Sequence, residues 1–164
     1  MDNNTKYRSA IGVDFHPLTM NKKLTLGGIE IPSTKGLDGH SDGDALTHAI
    51  IDSILGIAAL GDIGTFFPDS KPEYHLKYSI DLLSEAINMV NNKGWYLTFL
   101  DATIIAESPK MTNHLKNMKK ILSSRLKLEI DDISIKATST NGLGFVGKEK
   151  GIGAIAISTA KIEM

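Results

Sequence analysis

DALTHAIIDSILGIAAL, residues 44–60, is the stretch of sequence that decides the fold. Its apolar residues stand three or four positions apart, which is the spacing of one face of an α-helix. They are Leu46, Ile50, Ile54, Ile57 and Ala58. Asp42 or Asp44 could cap the start of this helix, because a carboxylate accepts hydrogen bonds from the free N–H groups of a first turn. The segment therefore predicts a long amphipathic helix.

Helical and strand patterns continue on both sides of this segment. Residues 74–92, followed by Gly94 as a C-terminal cap, and residues 111–126 have the apolar spacing of two further helices. Gly27 and Gly28 fall inside a predicted strand, where we expect a bulge. Runs rich in β-branched and apolar residues predict strands at residues 7–15, 24–31, 96–105, 133–138 and 152–161.

The order β, β, α, α, β, α, β, β indicates an α/β or α+β fold, in which a mixed sheet has its helices packed on one face. The length of 164 residues predicts a single domain over residues 1–164. In the last strand, alternation separates isoleucines from small residues, and the small face offers close contact to a neighbouring subunit. The small residues are Ala154, Ala156, Ser158 and Ala160.

The composition excludes several classes of protein. The 41% hydrophobic and 23% charged residues are typical of a globular protein, and the net charge of −1 provides no general field for nucleic acid or an anionic membrane. Without cysteine, only histidine and carboxylate remain as metal ligands, and thiolate catalysis is excluded. We find neither the apolar stretch of a secretion signal nor that of a membrane span, and we expect a cytoplasmic protein.

Three side chains have the character of metal ligands. Asp14 and His16 lie two residues apart at the end of a predicted strand, so both side chains point to the same face. His48 lies on the predicted helix, with Asp44 and Asp52 one turn away on either side as candidate hydrogen-bond partners. Two histidines and a carboxylate are the ligand set of a catalytic zinc site with one open position, and the same set can bind iron. Each motif alone is also compatible with a solvated polar surface, which is the more common explanation of an isolated Asp-x-His pair.

Other motifs could hold phosphate. HSDGD, residues 40–44, is compatible with a turn and helix cap, and also with a phosphate site in which His40 and Ser41 donate hydrogen bonds. Residues 61–69 contain glycines within a loop, and residues 138–148 combine hydroxyls, glycines and a cation. Neither has the spacing of a nucleotide-binding fingerprint, so each is also compatible with a simple connection.

In combination, these motifs resemble the 2-C-methyl-D-erythritol 2,4-cyclodiphosphate synthase family over nearly the whole chain. The resemblance implies a phosphorus–oxygen lyase of non-mevalonate isoprenoid biosynthesis. In its reaction, 4-diphosphocytidyl-2-C-methyl-D-erythritol 2-phosphate closes to the 2,4-cyclodiphosphate and releases CMP, without a protein nucleophile. The resemblance also implies a homotrimer with each site between adjacent subunits. The matching segments are GVDFH (12–16), HSDGDALTH (40–48), LGDIGTFFPD (60–69), AESPKM (106–111), KATST (136–140) and LGF (143–145).

The same resemblance implies roles for individual residues. Asp14, His16 and His48 would hold Zn²⁺, and a magnesium or manganese ion would bridge the diphosphate. His40 and Ser139 would be the catalytic side chains. The substrate would be bound by Asp14, His16, His40, Ser41, Asp62, Ile63, Gly64, Phe67, Pro68, Asp69, Ser70, Lys71, Ala106, Pro109, Lys110, Met111, Thr112, Thr138, Ser139, Thr140, Asn141, Phe145 and Lys148.

This sequence departs from the family pattern at three of these positions. Asn141 stands where the family usually has the acidic residue that binds the second cation, and an amide lacks the negative charge that favours a hard cation. Ser139 replaces a threonine but keeps the hydroxyl, and Lys148 replaces a common arginine. Two other interpretations stay open: a metal-binding protein without turnover, and a nucleotide-binding module that is indifferent to chelators.

Overall fold

A computed structural model describes residues 4–39, 41–68, 70–71, 74 and 77–163 of the chain. The strands in these residues are β1 (Thr5–Met20), β2 (Leu24–Leu26), β3 (Ile29–Ile31), β4 (Lys35–Leu37), β5 (Tyr96–Ile105), β6 (Ile133–Thr138) and β7 (Gly151–Glu163). The helices are α1 (Ala45–Ile57), α2 (Ile63–Phe66), α3 (Ser79–Asn91), α4 (Leu115–Leu126) and α5 (Gly144–Gly147). Five strands form one sheet in the order β4-β1-β7-β5-β6, while β2 and β3 pair with each other.

The antiparallel pair of β1 and β7 forms the centre of the sheet, and β5 pairs antiparallel with the other side of β7. β6 lies parallel to β5, and α4 forms the crossover that a parallel pair requires. The mixed sheet that the sequence predicts is therefore present. Four residues lie side by side on neighbouring strands at one end of the sheet, in the order Phe15, Gly153, Ile105 and Thr138.

Helix α1 packs closely against β1 and β7. Gly12 of β1 permits this approach, because a Cβ atom at that position would lie 2.0 Å from the Ala49 carbonyl oxygen of α1. The hydroxyls of Ser53 in α1 and Ser158 in β7 form a buried hydrogen bond of 2.7 Å. Helix α3 packs on α1, and α4 packs on β6, so these helices cover one face of the sheet as predicted.

The prediction that the small residues of β7 face a neighbouring subunit is wrong. Ala154, Ala156, Ser158 and Ala160 are fully buried on the side of β7 that packs against α1. Small side chains are needed there because the helix lies so near the strand. The opposite side of the sheet, called the outer face below, has apolar side chains that are 41% to 63% exposed. They are Tyr7, Ile11, Val13, Phe15, Phe99 and Ile157.

Residues 24–31 form a hairpin rather than the single bulged strand that the sequence predicts. Strands β2 and β3 pair antiparallel, with Leu26 opposite Ile29. Between them Gly27 and Gly28 have φ values of 59° and 74°, and two consecutive residues with positive φ form the tight turn of a hairpin. The two glycines therefore reverse the chain instead of bending a strand.

The buried carboxylate of Asp44 fastens this turn to α1. Its two oxygens accept hydrogen bonds of 2.8 Å from the N–H groups of Gly27 and Gly28. The same carboxylate caps α1 by accepting a 2.9 Å bond from the N–H of Thr47, which confirms Asp44 as the predicted N-cap. Burial raises the pKa of the Asp44 carboxyl, and the N–H groups of Thr47 and Gly28 oppose that rise.

The other elements agree with the predictions in type and differ at their ends. Strands β5 and β6 have the predicted bounds, whereas α3 and α4 begin at Ser79 and Leu115, several residues later than predicted. Helix α1 ends at Ile57, shortly before Ala59 and Gly61 adopt positive φ. The short elements β4, α2 and α5 were not predicted, since three or four residues are too few to show a period. Among the described residues, no helix has the length and apolar character to span a membrane.

Replacing Gly12 with alanine should destabilise the fold, because the added methyl group would collide with the backbone of α1. We expect the free energy of unfolding to fall by about 3 kcal/mol or more, as for severe overpacking. Gly64→Ala is the matched control, since its Cβ atom would meet nothing closer than 3.7 Å and its effect should stay within about 1 kcal/mol. Urea denaturation measures both. Equal effects would contradict a steric role for Gly12.

Candidate metal centre and substrate cavities

Asp14, His16 and His48 converge on one point between β1 and α1. The Nε2 atom of His16 lies 2.9 Å from Oδ2 of Asp14 and 3.1 Å from Nδ1 of His48, and that Nδ1 lies 3.4 Å from the same Oδ2. Residues 14 and 16 share the helix-facing side of β1, and His48 projects from α1 towards them. The structure thus brings the three predicted ligands together, each half-buried.

Both imidazoles are oriented by a hydrogen bond on the side away from this point. The Nδ1 atom of His16 lies 2.7 Å from the backbone carbonyl oxygen of Asp38, which can only accept, so Nδ1 carries the proton. The Nε2 atom of His48 lies 2.8 Å from the hydroxyl oxygen of Ser79. The proton on Nδ1 of His16 leaves the Nε2 lone pair of that ring facing Asp14.

The carboxylates predicted to support His48 act elsewhere. Asp44 is committed to the hairpin turn and the α1 cap, as described above. Asp52 accepts a 2.7 Å hydrogen bond from the N–H of Ile63 at the start of α2. Ser79 contacts His48 instead, and Asp42 in turn accepts a hydrogen bond from the Ser79 hydroxyl. The sequence pattern gave no signal for Ser79, which is 31 positions away from His48.

The electrostatics of the cluster favour a bound cation. Oδ2 of Asp14 is buried and has no hydrogen-bond partner among the described residues. Burial alone would raise the pKa of Asp14, but the adjacent His16 and His48 hold it well below its usual range. Burial likewise opposes a charge on His16, yet the Asp14 carboxylate raises the pKa of that imidazole above its ordinary value. A positive charge is therefore stabilised where the three groups meet.

The donor set and its spacing fit a metal ion. Ligand atoms on a tetrahedral zinc, with bonds of about 2.0–2.1 Å, lie roughly 3.3 Å from one another. The three distances of 2.9, 3.1 and 3.4 Å fall around that value. Two imidazole nitrogens and one carboxylate oxygen also leave a coordination position for substrate.

A cavity of about 210 Å³ opens beside the three ligands. Of the residues predicted to bind substrate, Ser41, Ile63, Gly64 and Phe67 line it together with the triad. Tyr74 and Leu82 also contribute to its wall and were not predicted. Asp62 stands at the rim, where its carboxylate caps α2 by accepting a 2.9 Å bond from the N–H of Thr65.

A second cavity, of about 260 Å³, lies where β5 and β6 end. Its walls come from the loop after β5 and the end of β6, as parallel neighbouring strands require. Most of the residues predicted for cytidine and diphosphate binding line it. They are Ala106, Pro109, Lys110, Met111, Thr112, Thr138 and Ser139.

Glu107 also lines the second cavity and shapes the turn beside it. Its Oε2 atom accepts hydrogen bonds of 3.3 Å from the N–H groups of both Thr140 and Gly142. Asn141, between them, has a φ of 52°, and its amide oxygen accepts a 3.2 Å bond from the Ser139 hydroxyl. Glu107 is part of the AESPKM motif (106–111), but its hydrogen bonds to residues 140 and 142 could be recognised only from the structure.

The remaining predicted residues that the structure describes are not in the walls of these two cavities. The ring of Phe145 packs edge to face on Phe15, with centroids 5.6 Å apart, and Lys148 follows α5 as an exposed side chain. Pro68, Ser70 and Lys71 are in the segment after α2. His40 and Asp69 lie outside the described residues.

Comparison with known proteins agrees with this geometry. The sequence profile of the YgbB family matches residues 7–161. A protein of Alkaliphilus oremlandii named 2-C-methyl-D-erythritol 2,4-cyclodiphosphate synthase is 49% identical over 152 residues, which cover 93% of this chain and 97% of that protein.

Solved structures share the fold. The bifunctional IspDF of Campylobacter jejuni superposes with a TM-score of 0.93 at 35% identity, covering 97% of this chain but only 43% of that longer one. The complex of Plasmodium falciparum IspF with CDP gives a TM-score of 0.84 at 33% identity, covering 96% and 97% of the two chains. The chain therefore belongs to the YgbB family, in which its relatives bear the name 2-C-methyl-D-erythritol 2,4-cyclodiphosphate synthase.

Proposed function

We propose that this chain is the lyase that converts 4-diphosphocytidyl-2-C-methyl-D-erythritol 2-phosphate to 2-C-methyl-D-erythritol 2,4-cyclodiphosphate and CMP, in non-mevalonate isoprenoid biosynthesis. The observation that carries the proposal is the convergence of Asp14, His16 and His48 beside a cavity. Relatives with the name of this enzyme cover nearly the whole chain, which supports the same activity here. A cytoplasmic location stays a prediction from the sequence.

The chemistry requires positioning and charge neutralisation rather than a protein nucleophile. An oxygen of the 2-phosphate forms a bond to the β-phosphorus, and the bond from that phosphorus to the bridging oxygen of CMP breaks, so the electron pair leaves with CMP. A Zn²⁺ held by Asp14, His16 and His48 supplies positive charge and a template for the phosphates. The protein holds the substrate in a folded conformation, so that its 2-phosphate lies close to the β-phosphorus that it attacks.

The first cavity suits the erythritol and its phosphates. Ser41 offers a hydroxyl to a phosphate, and the backbone of Gly64, in the first turn of α2, offers polar groups to the erythritol hydroxyls. Phe67 gives the cavity an apolar wall. We assign Asp62, Pro68, Ser70 and Lys71 to the rim of the same site, and substrate binding by Asp69 stays a prediction from the sequence.

The second cavity suits the cytidine diphosphate end of the substrate. Backbone groups from residues 106–112 are available to the base, and the hydroxyls of Thr138 and Ser139 can donate to the diphosphate. Lys110 adds a positive charge. The CDP complex of the Plasmodium falciparum relative supports a cytidine nucleotide as the ligand class. We assign catalytic contacts with the reacting phosphates to His40 and Ser139.

A homotrimer would join the two cavities into one active site. Within one chain, β1 and β6 are separated by three strand spacings, or roughly 14 Å. One substrate must contact the metal and the cytidine cavity together, which is achieved if each cavity is completed by a neighbouring subunit. The outer face supports this assembly, because an exposed apolar patch of this kind marks a protein interface.

Removing one metal ligand should abolish both metal and activity. We expect His48→Ala to lose the stoichiometric zinc and to release CMP at least about 100-fold more slowly, since the charge stabilisation by a metal is worth several kcal/mol. His114→Ala is the control, because His114 lies at the start of α4, away from the cluster. Metal analysis and a CMP-release assay measure these effects. Zinc and CDP binding without CMP release would favour the non-catalytic interpretation.

Asn141 should weaken the binding of the second cation. We predict that Asn141→Glu lowers the magnesium concentration needed for half-maximal CMP release by about tenfold. The reason is that it adds a negatively charged ligand beside the protein hydroxyls assigned to the diphosphate. Asn141→Gln controls for side-chain length without adding charge. An unchanged magnesium requirement in Asn141→Glu would show that charge at this position does not limit cation binding.

A charge on the outer face should dissociate the trimer. Ile157 is 43% exposed on this face, and Ile157→Lys would place a cation within the apolar contact between subunits. Ile130→Lys is the control, because Ile130 is similarly exposed at 39% but lies in the turn before β6. Light scattering after gel filtration should give a monomer mass for Ile157→Lys only. A trimer in both variants would exclude the outer face as the interface.

A further inference from the structure

We propose that Ser79 and Asp42 are positioning residues of the metal centre, which hold His48 in the tautomer whose Nδ1 lone pair faces the ion. The inference rests on the proposed metal role of the triad. It goes beyond that role because neither residue was among the predicted ligands or substrate contacts. Neither Ser79 nor Asp42 needs to touch the substrate for this role.

Ser79 is the first residue of α3 and is fully buried. Its hydroxyl oxygen lies 2.8 Å from Nε2 of His48, on the opposite side of the ring from Nδ1, the atom that faces Asp14 and His16. The same hydroxyl donates a short hydrogen bond to Oδ1 of Asp42. Asp42, Ser79 and His48 therefore form a continuous hydrogen-bonded chain that ends at the proposed metal site.

The direction of the protons in this chain follows from what each group can do. A carboxylate only accepts hydrogen bonds, so the single hydroxyl proton of Ser79 is directed to Asp42. The lone pairs of that hydroxyl are then left for His48 and for the Ser41 hydroxyl, which lies 3.0 Å away. The Nε2 atom of His48 must carry a proton to bond to one of them. In this tautomer Nδ1 is unprotonated and can ligate a metal.

Asp42 is suited to this task because several donors surround its carboxylate. Besides the Ser79 hydroxyl, the N–H of Ser79 is 3.3 Å from Oδ2, and the Ser41 hydroxyl is 3.1 Å from Oδ1. The N–H of Asp44 lies 3.4 Å from Oδ1. A carboxylate with this set of donors stays an acceptor towards Ser79. The same group also ties the start of α3 to the start of α1.

The other imidazole shows why a second residue is needed here. His16 is set by a backbone carbonyl, which can never donate, so one contact fixes its tautomer. A serine hydroxyl can either donate or accept, and alone it would permit both tautomers of His48. Asp42 removes that freedom. We therefore assign the tautomer of His48 to Asp42 and the ring position to Ser79.

The variants Ser79→Ala and Asp42→Asn test the two parts of this assignment. Ser79→Ala deletes the contact to His48, and Asp42→Asn introduces an amide that can donate to Ser79 and reverse the hydroxyl. We expect each to raise the zinc dissociation constant by roughly 10- to 100-fold, the usual effect of losing a partner behind a ligand. Asp42→Asn keeps the side-chain volume and so guards against a folding defect in Ser79→Ala.

Ser53→Ala is the matched control. Ser53 is also fully buried, and its hydroxyl bonds to the Ile50 carbonyl and the Ser158 hydroxyl rather than to a metal ligand. Its loss should lower the thermal stability to a similar degree while zinc affinity stays within about twofold of the unaltered protein.

Zinc affinity is measured on the metal-stripped full chain by competition with a chromogenic chelator, and ¹⁵N–¹H spectra of the histidines at one fixed pH report the tautomer. We expect the Nε2–H form of His48 in the unaltered chain and in Ser53→Ala, and its loss in Asp42→Asn. Unchanged zinc affinity in both Ser79→Ala and Asp42→Asn, or a retained Nε2–H form in Asp42→Asn, would overturn the proposal. Failure of the unaltered chain to bind zinc would instead refute the proposed metal centre.

Discussion

Three electron-rich atoms, one carboxylate oxygen and two imidazole nitrogens, are held about 3 Å apart with no proton assigned to the space between them. Such an arrangement is repulsive until a cation enters, because each group has lost part of its hydration. The fold must therefore hold the three groups in place against their repulsion. Two packing contacts do so: that of β1 with α1, and that of α3 with the start of α1.

The first contact depends on the absence of a side chain. Gly12, two residues before Asp14, allows the backbone of β1 to approach α1 near Ala49, one residue after His48. A site that needs ligands from a strand and a helix within one coordination sphere requires this proximity. The small residues of β7 continue the same close contact on the neighbouring strand. Core packing and metal geometry are thus set by the same backbone approach.

The sequence predicted what periodicity and local chemistry can reveal. Helix α1, its Asp44 cap and the bounds of β5 and β6 follow from patterns within one segment, and Asp14 with His16 follows from strand alternation. The meeting of His48 with Asp14 and His16 was expected from the ligand set and the family resemblance, but periodicity and local chemistry did not predict the other contacts between distant segments. The Gly27-Gly28 turn depends on a carboxylate 16 and 17 positions away, and the partner of His48 comes from a different helix. The small face of β7 was misassigned because alternation separates two faces without saying which one meets the helix.

The register of the sheet explains why the two proposed substrate cavities are separate within a single chain. Phe15 beside the metal ligands and Thr138 beside the second cavity lie at the same end of the sheet, but Gly153 and Ile105 stand between them. Antiparallel pairing of β7 with both neighbours fixes that separation, and no side-chain rotation can remove it. Under the proposed function, a substrate with a reactive phosphate at one end and a nucleoside at the other would be shared between this chain and a second copy of it. In that arrangement the exposed apolar outer face and the divided site are two consequences of one topology: the strands that keep the cavities apart within a subunit are the strands through which subunits would meet.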